Sequence, residues 1–476
     1  MKIARLAGTA ATVLILASPV MAQSAGSSAD LAAAQAQIDA LKQQLERLEA
    51  TVDYLKANAS AEHKEKAVTA VDVAALKSTN DRFIWSGDFR FRHDMQDRSP
   101  NITTDDSTRQ RDQIRARFGV QAKVNDTTNV ILRLSTVSND NTNGRSTNQT
   151  LGTDWDRKSV GFDLAYVDWK PLPMANLLLG KMPQPWVKSP GYFWDNDLTP
   201  EGAALKFAYG PWFGNASYTW INERNVLGNQ GASSDATMAG IQLGFKPTFE
   251  AGTLTAAVGY FDIANVQDRI VKYSQTITAP AGGGTVTTVT CSIDGAFGSG
   301  FGTGDNSFNN TEYGPAPAPQ VGSTTSCTRL YSDFNLFTAL LQFDMKVGQY
   351  PLTVFADYMQ NTAAKLNPQV NKTLDGATAF GFTFNKASAP HSWEFGVVYE
   401  QNDKDAVFAQ FVDSDFGGGV TDAKGWAIKG SYVLATNLTF TGTAFLNKLN
   451  YDGVPSNGST YNLDYKRLML DLNYKY

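Results

Sequence analysis

The chain has 476 residues, and its 46 acidic side chains outnumber its 41 basic side chains, which gives a net charge of −5. This balance argues against general nucleic-acid binding. The mean hydropathy of −0.28 is that of a water-soluble protein, yet the chain has to place 27 Phe, 18 Tyr and 9 Trp side chains. Both properties fit a fold in which only alternate residues of each strand contact an apolar environment.

The first 22 residues have the pattern of a secretory signal peptide, which predicts export. Lys2 and Arg5 precede a short apolar stretch at 6–17, and small residues ending at Ala22 predict cleavage after that position. The apolar stretch is shorter than the roughly 20 residues that a transmembrane helix needs. No later segment contains an apolar run of that length, so transmembrane helices are not expected.

Residues 23–58 are expected to form an α-helical coiled coil, which a polar linker at 59–81 joins to the rest of the chain. Apolar residues recur at alternating steps of three and four, with the charged side chains off this seam. A lone helix would leave the stripe in water, so the pattern favours association with copies of itself. A solvated helix or linker is the alternative, and the pattern does not distinguish a dimer from a trimer. The seam residues are Leu31, Ala34, Ile38, Leu41, Leu45, Leu48, Val52 and Leu55.

From residue 82 onward the chain consists of short alternating segments separated by turn-forming residues, and these segments predict about sixteen strands. Short connections alternate with long ones, which is typical of bacterial outer-membrane barrels with periplasmic turns and external loops. An even number of strands places both barrel ends, and the coiled coil, in the periplasm. The predicted spans are 82–94, 111–124, 128–137, 159–170, 175–183, 202–209, 212–223, 236–247, 252–264, 331–346, 351–361, 376–386, 391–401, 424–434, 437–449 and 463–476.

The last nine residues predict an amphipathic strand that ends on an aromatic residue. Apolar residues at even positions from Leu468 to Tyr476 alternate with a mostly polar face that includes Asp471 and Lys475. In a transmembrane barrel the apolar face contacts lipid and the polar face contacts a wet lumen; an ordinary edge strand is the alternative. The ending resembles the C-terminal assembly signal of outer-membrane barrels, which implies recognition by the barrel-assembly machinery, although that signal usually ends on Phe. The predicted fold is therefore all-β, a transmembrane antiparallel barrel at 82–476.

Basic side chains on three neighbouring strands are predicted to line one wall of the lumen, where arginine keeps its charge and can hold a passing anion. The third long loop, 184–201, is acidic, rich in aromatic residues and stiffened by prolines that include Pro185 and Pro190, so we expect it to fold into the barrel opposite this wall. The alternatives are that the arginines only balance lumen acids and that the loop packs on the surface. The predicted pore-lining residues are Arg90, Arg92, Arg115, Arg117, Arg133, Lys181, Asp195, Asp197 and Glu201.

Cys291 and Cys327 are the two cysteines of the chain, and in an exported protein an even number favours one disulfide over two separate buried thiols. The three histidines, His63, His93 and His391, lie far from either cysteine in sequence, so we expect no metal site. No Ser–His motif or phosphate-binding loop is evident. These observations argue against an enzyme and against a bound cofactor.

Five motifs are similar to those of the proteobacterial putative porin family. They are GDFRFR at 87–92, RARFGV at 115–120, STNQTL at 146–151, LGK at 179–181 and WDNDLTPEG at 194–202. The resemblance covers nearly the whole mature chain, including the coiled coil. It implies a homotrimeric barrel in the outer membrane of a Gram-negative bacterium, in contact with outer-membrane lipid and lipopolysaccharide, with the third loop near a constriction. The cysteine pair and the long fifth loop lie outside this pattern.

The expected function is a channel for passive diffusion of small hydrophilic solutes and ions through a charged constriction. One alternative is a channel selective for phosphate, organic anions or sugars. Another is a structural tether, in which the periplasmic coiled coil binds the cell wall.

The coiled coil is expected to drive or reinforce oligomerisation. Replacing both Leu41 and Leu48 with Asp would place unpaired charges in the seam, at a cost of about 3 kcal/mol or more for the association. The oligomer that survives mild heating in gel electrophoresis should then dissociate. If the double variant runs as the same oligomer as the wild type, the barrel itself holds the subunits together.

Overall fold

The computed structural model describes residues 35, 39–47, 49–50, 82–99, 108–137, 144–152, 154–223, 235–277, 310–313, 323–453 and 462–476. Contacts divide the chain into two units, Met1–Asn80 and Asp81–Tyr476. Within the first unit, residues 35, 39–47 and 49–50 are helical. No helix among the described residues is long and apolar enough to cross a membrane.

The described helix carries two residues of the predicted coiled-coil seam. Leu41 and Leu45 are 60% and 61% exposed, so this part of the stripe is available to a partner helix. The predicted signal peptide, the predicted linker up to residue 80 and the other seam residues lie outside the described residues. The last group comprises Leu31, Ala34, Ile38, Leu48, Val52 and Leu55.

The second unit is an antiparallel sheet of sixteen long strands that closes on itself, because the first strand pairs with both the second and the last. The predicted all-β barrel of about sixteen strands is confirmed, and every predicted strand has its counterpart. In chain order the strands are β1 (Phe83–Ser99), β2 (Thr108–Asn125), β3 (Thr128–Thr136), β4 (Val160–Leu172), β5 (Ala175–Lys181), β6 (Glu201–Tyr209), β7 (Trp212–Asn222), β8 (Ala236–Phe245), β9 (Gly252–Ala264), β10 (Phe334–Val347), β11 (Tyr350–Asn361), β12 (Gly376–Asn385), β13 (Trp393–Asn402), β14 (Ala423–Ala435), β15 (Leu438–Leu449) and β16 (Leu463–Lys475).

Several short elements accompany the barrel. Gln149–Thr150 pairs with β2, and Thr248–Phe249 pairs with β9. Leu366–Asn367 pairs with Lys372–Thr373, and two 3₁₀ helices span Ala409–Phe411 and Phe416–Gly418. A separate three-stranded sheet within the long fifth loop contains Ile270–Ile277, Glu312–Tyr313 and Ser323–Leu330.

The predicted disulfide falls in the long fifth loop. Cys327 lies in the strand Ser323–Leu330, where its backbone is opposite Tyr273. Cys291 lies outside the described residues, so the pairing remains a prediction.

The outer ends of β1 and β2 extend beyond the predicted spans. Asp97 pairs with Thr108 across these strands, and Ser99 pairs with Asp464 of β16. The side chains in these segments are polar, so they carry no alternating apolar signal, and the strands persist because neighbouring backbones satisfy their hydrogen bonds. Backbone pairing therefore continues where the apolar pattern stops.

The C-terminal strand has the predicted two faces. Leu468, Leu472 and Tyr474 are exposed on the outside, whereas Met469 and Asp471 are buried on the inside. The backbone N–H groups of Gly87 and Tyr476 each donate to the carbonyl of the other, at 3.1 Å, which closes the sheet at the end that carries the short turns. The alternation predicted from 468–476 is confirmed.

Aromatic side chains gather on the outer face beside the short turns. The rings of Trp212 and Phe245 are 4.5 Å apart, and Trp393 lies 5.6 Å from Phe384 and 5.9 Å from Tyr350. Aromatic girdles of this kind mark the interface between lipid and water in transmembrane barrels. The girdle therefore marks the turn side of the apolar band.

Buried ion pairs join β1 to β16 on the inner face. Arg92 donates to Asp471 at 2.7 Å, and Arg467 donates to Asp94 at 2.7 Å. Asp415 bridges the two pairs, at 3.2 Å from Arg92 and 2.9 Å from Arg467. Because both arginines are almost fully buried, each needs its carboxylate partners to offset the loss of water.

Replacing Arg467 with Met should destabilise the barrel by about 3 kcal/mol, because it removes one of the cations that neutralise buried Asp94 and Asp415. The measurement is the urea midpoint of unfolding from lipid vesicles. Lys448→Gln is the control, because it breaks an exposed pair with Asp464 and should leave the midpoint nearly unchanged. Equal midpoint shifts for the two variants would show that the buried network does not stabilise the closure.

Candidate functional site

The arginines predicted to line the lumen lie on the inner face of the first three strands. Arg90 and Arg92 alternate with Phe89 and Phe91, which are exposed on the outer face of β1. On β3, Arg133 stands between Leu132 and Leu134, which also face outward. We call Arg90, Arg92, Arg115, Arg117 and Arg133 the arginine wall.

Asp88 and Asp197 bring two arginines of the wall together. The Asp88 carboxylate lies 2.9 Å from Arg115 and 2.7 Å from Arg117. Asp197, on the loop between β5 and β6, lies 3.9 Å from Arg115 and 4.0 Å from Arg117. Its carboxylate also accepts a hydrogen bond from Thr147 Oγ1 at 3.0 Å. The structure thus brings two strand arginines close to a loop acid.

The other arginines of the wall have different partners. Arg92 belongs to the ion-pair network between β1 and β16. Arg133 donates to Asp163 at 2.6 Å. Arg90 donates to the neutral side chain of Asn148 at 2.5 Å, and its Nε has no hydrogen-bond partner among the described residues.

The loop at 182–200, here called loop A, packs against the inner wall of the barrel. The backbone N–H and carbonyl of Val187 both bond to the side chain of Gln242 on β8, at 2.8 Å each. Ser189 donates to Asp357 of β11 at 2.6 Å, and the backbone N–H of Tyr192 donates to Glu400 of β13 at 2.7 Å. Gln242 alternates with outward-facing Ile241 and Leu243, so loop A crosses the interior of the barrel.

A second loop, 403–422, also lies inside and is here called loop B. Its backbone pairs with loop A: Asp195 N–H donates to the Phe411 carbonyl at 2.8 Å, and Asp413 N–H donates to the Tyr192 carbonyl at 3.0 Å. The strand pattern predicts this segment only as a long external loop. Its apolar run at 406–412, which only Gln410 interrupts, is the local signal that such a loop is buried.

Aromatic packing between the two loops and the far wall fills one side of the interior. The rings of Trp186 and Trp194 in loop A are 4.8 Å apart, and both lie 5.3 Å from Phe261 of β9. Loop B contributes Phe411, whose ring is 6.0 Å from that of Trp194. The same buried cluster includes Phe193, Phe334, Phe408, Phe416 and Phe445. Among the described residues, β1–β3, which carry the arginine wall, contribute nothing to this cluster.

Buried acids and bases hold the two loops together. Asp195 accepts a hydrogen bond from Ser414 N–H at 2.8 Å. Burial raises the pKa of Asp195 well above its usual value, and neighbouring Asp413 adds to this effect. Burial, with the charge of Asp415, raises the pKa of Asp413 to about 7. Burial lowers the pKa of Lys188 to about 8 although these acids lie nearby.

Arg145, on the segment that precedes Thr147, supports loop B from another direction. Its guanidinium donates to the carbonyls of Ala409 at 3.0 Å and Gly419 at 2.8 Å. Burial lowers the pKa of Arg145 to about 10, against the opposing effect of Asp195 and Asp413. A buried cation that binds backbone carbonyls fixes the path of loop B.

Lys181 and Glu201 do not contact the arginine wall, and their place in a constriction stays a prediction. Their side chains form an ion pair at 2.8 Å. Lys181 also donates to the carbonyl of Thr199 on loop A at 3.2 Å. Both side chains line a cavity with Trp186 and Trp194 of loop A. Among the described residues no group of His, Cys, Asp and Glu side chains could hold a metal ion.

The packing of loops A and B should weaken as the pH rises. Asp413 has a higher pKa in the folded loops than its ordinary value of 3.8, so the folded state binds more protons between these values. Protonation of the Asp413 carboxylate therefore stabilises the packed loops at acidic pH. This stabilisation is lost as the pH rises through about 7. Amide hydrogen exchange of loop B should therefore be faster at pH 8 than at pH 5.

Asp413→Asn is the matched variant, since its amide oxygen can still accept from Asp415 N–H and Phe416 N–H. It should exchange at pH 8 nearly as slowly as the wild type does at pH 5. The same acceleration with pH in this variant would show that Asp413 is not the responsible group. Exchange rates also depend on pH in an unfolded chain. The rates of loop B are therefore divided by those of an unstructured peptide with the loop B sequence at the same pH.

One known protein family and several solved structures are similar to this chain. Residues 47–476 match the family described as "Putative porin", and no curated protein matches the chain. Among solved structures, the chain is similar to Salmonella typhi OmpF in complex with daunomycin, with 12% identity, 83% of this chain and 99% of that chain covered, and a TM-score of 0.44. It is also similar to Pseudomonas aeruginosa OpdQ, with 11% identity, 83% and 98% covered, and a TM-score of 0.41.

Vibrio cholerae OmpT in its trimer form is a third similar structure, with 10% identity, 83% and 100% covered, and a TM-score of 0.42. The family match spans most of the chain, including every strand of the barrel. The chain therefore belongs to the putative porin family.

Proposed function

We propose that the protein is an outer-membrane channel for passive diffusion of small hydrophilic solutes and ions. Family membership supports this function, as does a closed barrel with an apolar outer face and a charged inner wall. The observation that carries the proposal is the approach of Asp197 on loop A to Arg115 and Arg117, at 3.9 and 4.0 Å. These opposite charges, of the two arginines and Asp197, lie on the polar side of the barrel interior.

Selection in this channel combines size exclusion with a transverse electric field. The aromatic packing of loops A and B occupies one side of the interior, so solutes pass along the arginine wall. Charges in a partly desolvated site interact more strongly than at an open surface. Polar solutes orient between arginines and carboxylates, whereas bulky apolar solutes lose water without gaining such contacts.

Because most arginines of the wall are paired with carboxylates, we expect weak ion selectivity with a slight preference for anions. Arg115 and Arg117 share carboxylates, and Arg133 is paired with Asp163. Arg90 differs, because its hydrogen-bonded partner Asn148 is neutral. This contact favours a second candidate, a channel with a preference for anionic solutes such as phosphate or organic anions, in which Arg90 supplies a charge-assisted donor.

The channel is proposed to be a homotrimer in the outer membrane, exported by the signal peptide, with its coiled coil in the periplasm. Vibrio cholerae OmpT has a trimer form, which offers a precedent. The exposed Leu41 and Leu45 of the helix supply a surface for self-association. The outward face of β16, including Tyr474 and Tyr476, is the proposed recognition surface for the barrel-assembly machinery.

Changing Arg115 and Arg117 to Glu should shift the reversal potential in a salt gradient towards cation preference. Two positive charges at the narrow part of the path are replaced by negative charges, and the shift should be largest at low salt, where screening is weakest. The measurement is the reversal potential of single channels in a planar bilayer of neutral lipids.

Lys424→Glu with Lys466→Glu makes the same charge change on the outside of the barrel and should leave the reversal potential unaltered. Both variants are first tested for folding by their mobility in gels without heating. An unchanged reversal potential in a well-folded Arg115→Glu/Arg117→Glu channel would mean that these arginines do not border the conducting path.

A further inference from the structure

Three lysines form a basic patch on the outer face of the barrel. Lys424 of β14, Lys448 of β15 and Lys466 of β16 lie at the loop ends of three adjacent strands. Lys424 pairs with Lys448 in the strand register, and Lys466 pairs with Leu446 two residues away. Each alternates with buried residues of the inner face, so all three ammonium groups are directed away from the lumen.

The basic patch is only partly neutralised. Lys448 contacts Asp464 at 2.5 Å, and both side chains are about half exposed. Lys424 lies 4.4 Å from the ring centre of Tyr451, a contact that orients the lysine without cancelling its charge. Asp97 of β1 is opposite Lys466 in the strand register. The three lysines therefore face two carboxylates, Asp464 and Asp97, and the patch keeps an excess of one positive charge.

Apolar side chains lie directly below the lysines, towards the membrane. Trp426 and Leu446 are exposed on the same outer face, and the Trp426 ring lies 5.0 Å from that of Tyr399. The three lysines, Asp464 and the apolar residues together line a groove of about 340 Å³. A surface with cations at one end and aromatic or aliphatic groups at the other complements an amphipathic anion.

The position of the patch along the strands matches the edge of the membrane. For a strand tilted by about 45°, the stretch from Tyr474 in the turn-side girdle to Lys466 covers roughly 20 Å along the membrane normal. The apolar band of outer-membrane barrels is about 25 Å tall. Lysine is costly at the bilayer midplane but not at the interface, so the lysines lie at the level of lipid headgroups on the loop side.

We propose that Lys424, Lys448 and Lys466 bind the phosphorylated headgroup of an outer-leaflet lipid, with an acyl chain of that lipid against Trp426, Tyr399 and Leu446. Charge complementarity selects the phosphate, and the groove below it accepts the chain. The proposal rests on the proposed outer-membrane location, with the long loops on the external side. It assigns to this chain a lipid site that is separate from the lumen and the arginine wall.

The test measures lipid binding to the full-length protein, refolded in uncharged maltoside detergent, by native mass spectrometry. The probes are a diphosphorylated lipid A, the same lipid after removal of its phosphates, and inorganic phosphate alone. Wild-type protein should retain the diphosphorylated lipid and lose most binding when the phosphates are removed. Lys424→Gln/Lys448→Gln/Lys466→Gln should weaken binding roughly tenfold or more, since each lysine near an anionic lipid contributes comparably.

Lys170→Gln/Lys246→Gln/Lys386→Gln is the matched control, because it removes three exposed lysines from the opposite, turn-side rim. It should bind the lipid as the wild type does. Should the first triple variant fold poorly, Lys424→Gln/Lys466→Gln keeps the Lys448–Asp464 pair and should still weaken binding about fivefold or more.

Equal binding by the wild type and the folded lysine variants would overturn the proposal, as would full displacement of the lipid by inorganic phosphate. A change of oligomeric state in place of lipid loss would also overturn it, and would assign the patch to subunit contact. Conductance is measured on the same preparations. Intact conductance without lipid binding rejects the lipid site alone, whereas a wild-type barrel that does not conduct rejects the proposed channel.

Discussion

A strand in the membrane has no water to bind its backbone, so every N–H and C=O group must find a partner within the sheet. This constraint explains why β1 returns to pair with β16 and why the last residue, Tyr476, exchanges hydrogen bonds with Gly87. It also explains the position of the buried ion pairs. Arg92–Asp471 and Arg467–Asp94 cross the junction between the first and last strands, which no connecting segment holds together.

Closure of the barrel creates an interior that is too wide for strand side chains alone to fill. Loops A and B occupy part of this interior. Their apolar and their charged side chains contact different parts of the barrel wall. Aromatic groups pack towards β8–β15, whereas Asp197 reaches the arginines of β2. The apolar cluster gives the loops a fixed position, and that position keeps a loop carboxylate beside the arginine wall. A rigid loop is needed for this purpose, because a mobile carboxylate would screen the arginines without defining a narrow path.

The strands were predictable because strand alternation is a local property. Each residue's face follows from its neighbours two positions away, so β16 and the inward side of Arg90, Arg92 and Arg133 could be read from sequence. Strict alternation does not extend to Lys181 and Glu201, because Gly180 and Gly202 beside them have positive φ. The direction of these two side chains therefore cannot be read from the neighbouring strand residues.

The insertion of loop B was not predictable in the same way. Its position depends on partners distant in sequence, such as Tyr192, Asp195 and Arg145, and no local period encodes these contacts. Composition gave a signal nonetheless: an external loop has little reason to carry Phe408, Phe411 and Phe416. The position of loop B inside the barrel also explains why acids such as Asp413 are buried.

Backbone N–H groups of Asp415 and Phe416 donate to the Asp413 carboxylate, which shapes the turn before the second 3₁₀ helix, while neighbouring acids make its charge costly. A side chain chosen for its turn-forming hydrogen bonds thus acquires a raised pKa through its burial. The sensitivity of loop packing to pH therefore arises from the same contacts that place loop B inside the barrel, and sequence alone does not reveal it.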